Sequence, residues 1–265
     1  MNIAIVTGAS SGMGKEFVKQ MHRYVCVDQV WAIARREDAL KALQEICPVP
    51  VRPIPLDLCD PESFPKFAAI LEQEQPDVKL LVNAAGFGKF GALEKIPLEQ
   101  DQRMIDLNCK ALVAMTRLCL PYMGKGSHIL QLDSLSAYMP LPYLAIYGAT
   151  KAFVLSYSRA VHIELKQQGI RQMTMTPFWV RTEFFDHAFQ TSTAEVQNFP
   201  RVYEAEDVVA TGLRDLYKTG KQLSIHGAYA KRQVFLMKVL PHRIGMQIWL
   251  HQQKKAKNNQ NLTSK

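Results

Sequence analysis

The sequence predicts an α/β fold, in which a doubly wound parallel sheet of about seven strands carries helices on both faces. Two observations lead to this prediction. Short, β-rich apolar runs alternate with segments of helical apolar spacing along most of the 265 residues, and glycine or polar residues follow where the runs end. Near-continuous apolar strands that alternate with helices are typical of a parallel sheet covered on both faces.

Seven runs are predicted as strands. They are Ile3–Thr7, Val30–Ala34, Val51–Leu56, Lys79–Asn83, His128–Asp133, Arg171–Thr176 and Gln222–His226. Right-handed crossovers bring the carboxyl ends of such strands to one edge of the sheet, where ligands bind. Six residues lie at or just past a predicted strand end, namely Gly8, Arg35, Asp57, Asn83, Ser134 and Pro177. We therefore expect a ligand crevice at that edge.

The composition indicates one globular domain in a reducing compartment. The chain is 48% hydrophobic and 21% charged, which suffices for a large core. The five cysteines include no CxxC pair and the histidines show no metal-ligand spacing, so neither disulfides nor a metal site is predicted. The first strand begins at Asn2 or Ile3 and leaves no room for a signal peptide, and no apolar run approaches the roughly 20 residues of a spanning helix. We expect a cytoplasmic protein.

The net charge of +8 is confined to the C-terminal segment. From residue 226 onward the chain carries eight Lys or Arg residues and no Asp or Glu. Residues 234–250 combine apolar side chains with scattered cations, so this segment could lie on an anionic membrane surface, close over the pocket or form a subunit interface. Without a recognised reading module, a basic tail does not predict nucleic-acid binding. We divide the chain into a catalytic domain, residues 1–226, and a basic amphipathic extension of it, residues 227–265, whose end from Lys254 we expect to be disordered.

Residues 7–14 read TGASSGMG and connect the first strand to a helical segment. Such a turn needs glycine because a Cβ would keep the backbone away from a pyrophosphate, whose charge the amide N–H groups of the helix N-terminus would meet. Alone, a glycine cluster could be any strand-to-helix turn. We predict that it binds a dinucleotide through Gly8, Ser10, Ser11, Gly12, Met13 and Gly14.

Tyr147 and Lys151 lie four residues apart in a segment of helical character, which places their side chains on one face, one turn apart. A cation within about 4 to 6 Å favours a phenolate, so we expect Lys151 to lower the pKa of Tyr147. Ser134, just past a strand end, would offer its hydroxyl to a substrate oxygen. The alternative for the pair is a solvated helix face, and Ser134 favours the catalytic interpretation.

The same spacing recurs at Tyr217 and Lys221, so it is not specific by itself. Gly220 interrupts this second copy, and a strand-like run follows at once. We interpret Tyr217 as lying at a helix end and Lys221 as lying in a turn, without a shared helix face.

In these motifs the chain resembles the short-chain dehydrogenases/reductases, single-domain enzymes with a Rossmann-like sheet and TGxxxGxG and YxxxK motifs. The resemblance runs from residue 2 to about residue 226. It implies an NAD(P)-dependent oxidoreductase that acts on CH–OH groups of a small molecule and assembles as a homodimer or homotetramer. Exposed apolar helix faces around residues 104–119 and 152–163 would suit such an assembly.

The resemblance also implies roles for single residues. Tyr147 would be the general acid/base, and Lys151 would bind the nicotinamide ribose and lower the tyrosine pKa. Ser134 would hold the reacting oxygen, and Asn108 would position a relay water. The segment matching the family's NAG motif, which supports the central sheet and the cofactor, consists of Asn83, Ala84, Ala85 and Gly86.

One motif departs from the family pattern. Where the family has PGxVxT after the sixth strand, this chain reads PFWVRT from Pro177 to Thr182. Pro177, Val180 and Thr182 still fit contacts to the nicotinamide side. Phe178 replaces the glycine and lacks its conformational range, so we expect a different loop there.

The second strand indicates which cofactor is preferred. NAD-specific members have an acidic residue at its end, whereas this chain has Ala34 followed by Arg35 and Arg36. Guanidinium groups pair with a 2′-phosphate, so NADP(H) is preferred and NAD(H) remains an alternative, with both arginines then ordinary solvated residues. By resemblance Asp57 and Leu58 contact the adenine; Asp57 could also cap the helix near Pro61.

Large apolar residues follow Ser134 and the sixth strand and are expected to cover the substrate. They are Met139, Leu141, Tyr143, Phe178, Trp179, Phe184, Phe185, Phe189 and Phe199. Such walls favour a steroid, bile acid, fatty acyl or aromatic carbonyl compound over a sugar, although several could be core or subunit contacts. A non-catalytic dinucleotide sensor is the second hypothesis. A nucleotide-sugar dehydratase or epimerase would need a different glycine spacing and a longer substrate domain.

Overall fold

The computed structural model describes residues 1–189 and 195–263, with side chains as far as residue 256. Seven strands form the central sheet: β1 (Asn2–Thr7), β2 (Gln29–Ala34), β3 (Val51–Pro55), β4 (Asp77–Asn83), β5 (His128–Leu132), β6 (Arg171–Met175) and β9 (Leu223–Ser224). All are parallel, in the order β3-β2-β1-β4-β5-β6-β9. The seven predicted strands are confirmed, and each end lies within two residues of its prediction.

The α-helices are α1 (Gly12–Gln20), α2 (Glu37–Lys41), α3 (Ser63–Glu74), α4 (Leu98–Ile105), α5 (Leu112–Cys119), α6 (Ala145–Lys166), α7 (Phe184–Phe189), α8 (Ala205–Arg214), α9 (Ala228–Val239) and α10 (His242–Thr263). Short 3₁₀ helices span Met21–Arg23, Ala42–Glu45, Leu93–Lys95, Leu120–Tyr122 and Leu135–Tyr138, and π-helical segments span Asp106–Ala111 and Asp215–Thr219.

The strands alternate their side chains between two cores, one on each face of the sheet. In β1, Ala4 and Val6 face a core that includes Phe17 of α1, whereas Ile3 and Ile5 face a core that includes Phe67 of α3. Successive side chains of a strand point to opposite faces, so each strand needs apolar residues throughout. This requirement explains the near-continuous apolar runs and confirms the doubly wound α/β prediction.

The strand order reverses between β1 and β4, which are neighbours with Thr7 paired to Asn83. The loops that leave these two strands turn to opposite faces, so a crevice opens between them. The glycine turn after Thr7 and the segment after Asn83 therefore meet at the carboxyl edge. The hydroxyl of Thr7 joins them, because it accepts hydrogen bonds from the amides of Ala84 and Ala85 (both 3.1 Å).

A second, two-stranded sheet was not predicted. Strand β7 (Trp179–Arg181) pairs in parallel with β8 (Val202–Glu204), with Trp179 opposite Val202. These three-residue strands are too short to show a period in the sequence. They fix the chain after β6 along the side of the crevice.

The C-terminal extension is helical and packs on the body of the protein. The indole N–H of Trp249 donates to the carbonyl of Pro142 (3.0 Å), and the Gln253 side chain accepts from the amides of Gln197 and Asn198 (both 2.9 Å). Helix α10 is described as far as Thr263, residues 264 and 265 lie outside the described residues, and the disorder expected at the end of the extension stays a prediction. None of the helices in the described ranges is long and apolar enough to cross a membrane.

Candidate active site

A crevice of about 600 Å³ lies at the carboxyl edge of the sheet, where the fold predicts it. Most of the predicted site residues line it, although they come from segments far apart in the chain. These are Gly8, Ser10, Ser11, Gly12, Met13, Gly14, Arg35, Arg36, Asp57, Leu58, Ala84, Ala85, Gly86, Ser134, Tyr147, Lys151, Pro177, Val180 and Thr182. The structure thus joins the glycine turn and the Ser–Tyr–Lys set in one cavity.

The glycine turn is shaped for a group that approaches the backbone closely. Gly8 and Gly12 have positive φ angles of 67° and 53°, which L side chains rarely adopt. A Cβ on Gly14 would lie 2.1 Å from the carbonyl oxygen of Gly8. Helix α1 begins here with Ser11 as its N-cap, which makes no side-chain capping bond within the described structure. The first amides of α1 are therefore available to an anion, as a dinucleotide pyrophosphate requires.

Arg35 and Arg36 both line the crevice beside this turn. The Arg36 side chain bridges the glycine turn and the segment after β6, because its Nη2 donates to the hydroxyl of Ser10 (3.3 Å) and to Oε2 of Glu183 (2.9 Å). The ion pair is half exposed, so it is weak and can be exchanged for another anion. Both arginines thus line the crevice beside the glycine turn, and Arg36 is engaged in a half-exposed ion pair.

Asp57 does not cap the helix that follows Pro61. Helix α3 begins at Ser63 with Glu62 as its N-cap, beyond the reach of that carboxylate. Asp57 instead accepts from the amide of Cys59 (3.0 Å) and pairs with Arg103 (3.2 Å). These interactions hold the pKa of Asp57 below its usual value although burial opposes them. The carboxylate therefore stays ionised at the rim of the crevice.

Two predicted site residues, Asn83 and Asn108, do not line the crevice. The Asn83 amide is buried and donates to Thr116 (3.0 Å) and Gln131 (2.9 Å), so it supports the sheet rather than touching a cofactor. Asn108 lies in the π-helical segment and forms a two-way bond with Phe87, accepting from its N–H (3.0 Å) and donating to its C=O (2.9 Å). The observed role of the Asn108 side chain is to fix the loop after β4.

Tyr147 and Lys151 share one face of α6, as predicted, and both are buried. Ser134 lies just past β5 and lines the crevice, and its Oγ accepts from the amide of Ser136 (3.2 Å). The ammonium of Lys151 donates to the carbonyl of Leu132 (2.9 Å) and lies 5.8 Å from the centre of the Tyr147 ring. The three groups therefore converge at the floor of the crevice.

The expected lowering of the Tyr147 pKa by Lys151 is not found. Burial raises the pKa of Tyr147 above its ordinary value, because a phenolate is poorly solvated there, and the Ser134 hydroxyl opposes this only in part. Lys151 is directed toward Leu132 instead of the phenol oxygen. The phenol is therefore protonated in this state, which suits a general acid.

The departure at Phe178 has little effect on the backbone. Among the described residues, those with positive φ other than glycine are Gln75 and Tyr143, so Phe178 has an ordinary conformation and needs no glycine. Its ring packs against Tyr229 of α9 at a centroid distance of 5.5 Å. Nearby, the side chain of Thr182 lies against Gly12, where an added Cβ would come within 3.2 Å of it. The glycine turn and the segment after β6 thus meet across the crevice.

Only part of the predicted apolar wall faces the crevice. Phe178, Trp179, Phe184 and Phe185 line it. The remaining residues belong to or pack around an apolar cluster near Phe90, which adjoins the crevice through Tyr147, but they do not line the crevice themselves; they are Met139, Leu141, Tyr143, Phe189 and Phe199. The alternative that several are core residues is correct for Met139 and Leu141, which are buried, whereas Tyr143 and Phe199 are partly buried and Phe189 is 38% exposed.

Sequence reasoning missed Lys89 and His187, which also line the crevice. Lys89 is 5% exposed, and its ammonium donates to the carbonyl of His187 (2.7 Å) at the end of α7. Burial lowers the pKa of Lys89 because the charged form loses hydration. Its neighbour Gly88 lies against Tyr147, where an added Cβ would approach the ring to 2.9 Å. The signal available was the position of Lys89 soon after a strand end.

Comparisons with known proteins agree with this geometry. The short chain dehydrogenase family model matches residues 2–193. The NADP-dependent 3-hydroxy acid dehydrogenase YdfG of Salmonella typhi is 32% identical over 196 residues, which cover 71% of this chain and 77% of that protein. Very-long-chain 3-oxoacyl-CoA reductase-A of Danio rerio is 32% identical over 224 residues, covering 80% and 67%.

A solved short-chain dehydrogenase from Sphingobium yanoikuyae in complex with NADPH superposes with a TM-score of 0.74 at 25% identity, covering 91% of this chain and 97% of that one. The serine dehydrogenase complexed with NADP⁺ gives a TM-score of 0.72 at 27% identity, covering 84% and 93%. Family match, fold and crevice therefore agree. The chain belongs to the short-chain dehydrogenase family and is an NAD(P)-dependent oxidoreductase.

Proposed function

We propose that this protein uses NADP(H) to interconvert a hydrophobic ketone and its secondary alcohol, of the steroid, bile acid, fatty acyl or aromatic carbonyl type. The observation that carries the proposal is the convergence of Ser134, Tyr147 and Lys151 on the crevice that the glycine turn also lines. A proton donor, a hydroxyl for the reacting oxygen and a cation then lie beside a dinucleotide cradle. That set matches the needs of carbonyl reduction.

In this mechanism the nicotinamide cofactor, when bound, supplies or accepts the hydride. Ser134 donates its hydroxyl hydrogen bond to the substrate oxygen and orients it. Tyr147 transfers its phenolic proton to that oxygen as negative charge develops during reduction, and takes it back during oxidation. Lys151 would hold the nicotinamide ribose, and Asn108 positions the relay water through the loop that it fixes.

NADP preference is supported by Arg35 and Arg36 at the crevice rim. A guanidinium group pairs with a phosphate through two parallel hydrogen bonds, so losing it should harm NADPH binding more than NADH binding. We expect the double variant Arg35→Gln/Arg36→Gln to weaken NADPH binding by about 10-fold or more and to change NADH binding little. Titration of cofactor fluorescence measures both, with Arg159→Gln on the far end of α6 as a matched control. An equal loss for both cofactors would contradict this assignment.

The aromatic wall supports a hydrophobic substrate. Trp179, Phe184 and Phe185 line the crevice, and Phe184 packs against the Tyr147 ring at 5.4 Å. An apolar group beside the reacting carbon would replace water there. The relatives named for 3-hydroxy acids and very-long-chain 3-oxoacyl-CoA also support a carbonyl or hydroxyl substrate of this kind.

The test is NADPH oxidation, followed at 340 nm, with a panel of steroid, bile acid, fatty acyl and aromatic ketones and with sugars as the contrasting set. We expect turnover with at least one hydrophobic ketone and none with the sugars. Tight NADPH binding without turnover on any member would favour the second hypothesis, a dinucleotide sensor.

Three further properties complete the proposal. Residues 1–226 form the catalytic domain and residues 227–265 its extension, in a cytoplasmic protein. A homodimer or homotetramer would cover exposed apolar residues such as Ile105, Phe153 and Ile163. Membrane-surface contact is supported by Phe235 and Val239 on α9, which are 64% and 58% exposed in a segment free of acidic residues. Light scattering tests the oligomeric state, and vesicle sedimentation tests the membrane contact.

A further inference from the structure

Asp133 is a buried carboxyl group for which the mechanism above has no use. It follows β5, directly before Ser134, and is 2% exposed. Its Oδ2 accepts from the hydroxyl of Thr176 (3.1 Å), whereas Oδ1 has no hydrogen-bond partner among the described residues. A half-satisfied buried carboxyl destabilises a fold. Such a group in a catalytic crevice points to a functional reason.

Lys151 contacts the peptide that leads into Asp133. Its ammonium donates to the carbonyl of Leu132 (2.9 Å), and that carbonyl carbon is bonded to the nitrogen of Asp133. Both side chains are buried, at 2% and 5% exposure, and both line the crevice. Two opposite charges in one poorly hydrated site attract each other strongly. The carboxyl therefore supports the charged form of Lys151.

We propose that Asp133 is a positioning residue, the counter-charge that keeps Lys151 an ammonium in its buried site, and that it thereby sets the pH range in which Tyr147 and Lys151 act. The effect on turnover rests on the proposed function. The charge pair itself does not.

The direction of each shift agrees with this assignment. Burial raises the pKa of Asp133 above that of an ordinary aspartate, and the charge of Lys151 opposes that rise. Burial lowers the pKa of Lys151, and the charge of Asp133 opposes that fall. Asp133 also raises the pKa of Tyr147. The same carboxyl thus acts on both titrating groups of the catalytic set.

The other titratable groups around the pair have smaller effects. Arg159 of α6 lowers the pKa of Asp133 less than Lys151 does. Cys109 of the π-helical segment raises the pKa of Lys151 less than Asp133 does. Asp133 also acts to raise the pKa of Tyr138, which lies in the 3₁₀ helix Leu135–Tyr138. The ammonium of Lys238 of α9 lies 5.1 Å from the centre of the Tyr138 ring. Within the described structure, the charge of Asp133 thus acts on Lys151 more than that of Cys109 does.

The first test measures the pair without turnover. Carboxyl ¹³C NMR of aspartate-labelled enzyme, without cofactor, follows each carboxyl across pH, and Asp133→Asn identifies the Asp133 signal. We expect Asp133 to titrate well above an ordinary aspartate and to move higher still in Lys151→Met, because the cation is lost. An ordinary midpoint, or a midpoint that Lys151→Met does not move, would overturn the proposal.

The second test uses the pH profile of turnover with the ketone found in the panel. An anion stabilises the protonated forms of its neighbours, so Asp133→Asn lowers the pKa of both Lys151 and Tyr147. We expect both limbs of the profile to move to lower pH by about one unit. Thr176→Val removes the hydrogen bond that stabilises the Asp133 carboxylate and should give a smaller shift in the same direction. This variant serves as the test if Asp133→Asn does not fold.

Asp215→Asn is the matched control. Asp215 is equally buried, at 2% exposure, but pairs with Lys221 (3.0 Å) and Ser224 (2.9 Å) outside the crevice lining. It should lose stability and keep the pH profile. A fall in rate with unmoved limbs in both Asp133→Asn and Thr176→Val would reduce Asp133 to a structural role. If the wild-type enzyme turns over no ketone, the proposed function fails while the NMR test still decides the charge pair.

Discussion

Two segments of this protein share the pattern Tyr-x-x-x-Lys, and they have different environments. Tyr147 and Lys151 lie in the 22-residue helix α6, both buried at the crevice. Tyr217 lies in a π-helical segment that ends at Gly220, whose φ is 74°, so Lys221 turns away from it. The interpretation that Tyr217 and Lys221 do not share a helix face is confirmed.

The partners of the two tyrosines differ as well. Tyr147 shares the crevice with the Ser134 hydroxyl, which acts to lower its pKa. The Tyr217 ring packs between Tyr24 (6.0 Å) and His128 (4.3 Å), and its hydroxyl lacks a hydrogen-bond partner in the part of the chain that the structure describes. Burial raises the pKa of both phenols. The comparison shows that the spacing alone does not make a proton-transfer site; a hydroxyl partner and an accessible cavity must be added.

The largest expected effect separates the two phenols. Tyr147→Phe should lower turnover by about 10³-fold or more, because no other group can protonate the substrate oxygen, while NADPH binding changes little. Tyr217→Phe should leave turnover unchanged and alter the free energy of unfolding by less than about 1 kcal/mol, because it removes an unpartnered hydroxyl. Steady-state kinetics and urea unfolding measure these effects. Wild-type turnover in Tyr147→Phe would remove Tyr147 from its role.

The next effect separates the two lysines. Lys151→Met should weaken NADPH binding and lower turnover by about 10²-fold, because the cation proposed to hold the nicotinamide ribose is lost. Lys221→Met should retain full activity but lower the free energy of unfolding by about 1 kcal/mol, since it leaves buried Asp215 with only Ser224 as a partner. Equal kinetic losses in both variants would contradict the distinction.

The smallest effect concerns the glycine in each segment. Gly220 has a left-handed conformation, so Gly220→Ala should lower the free energy of unfolding by about 1 kcal/mol. Gly148 lies inside α6, and an added Cβ would stay 3.5 Å from the nearest atom, the Ser136 carbonyl oxygen. Gly148→Ala should therefore be neutral or stabilising by up to about 1 kcal/mol. Chemical denaturation checks both. The reverse order of stabilities would contradict the assigned conformations.

The sequence predicts well what local periodicity controls. Strand β1 and the glycine turn follow from an apolar run and from the conformational needs of Gly8 and Gly12, which involve neighbouring residues only. Tyr147 and Lys151 follow from helical spacing in the same way. These features place the crevice before any contact between distant segments is known.

What depends on packing between distant segments was predicted less well. The raised pKa of Tyr147 comes from burial under the whole crevice wall, which no local pattern encodes. The ring of Phe189 in α7 packs against Phe90 (5.5 Å), and the ring of Phe199, which precedes β8, packs against Phe189 (5.7 Å). The contact with Phe90 joins segments that are far apart in the chain. Asp133 did leave a signal: it is a carboxyl residue that ends an apolar run directly before Ser134, where a core position would be apolar.

The central claim is that the Tyr147 phenol carries the proton beside the nicotinamide. A crystal structure of the enzyme with NADP⁺ and an unreactive ketone or alcohol analogue tests it most directly. The account predicts that the analogue's oxygen lies within hydrogen-bond distance of both the Tyr147 and Ser134 hydroxyls, with Lys151 on the nicotinamide ribose. An analogue oxygen bound away from Tyr147, or a nicotinamide ring outside this part of the crevice, would contradict it.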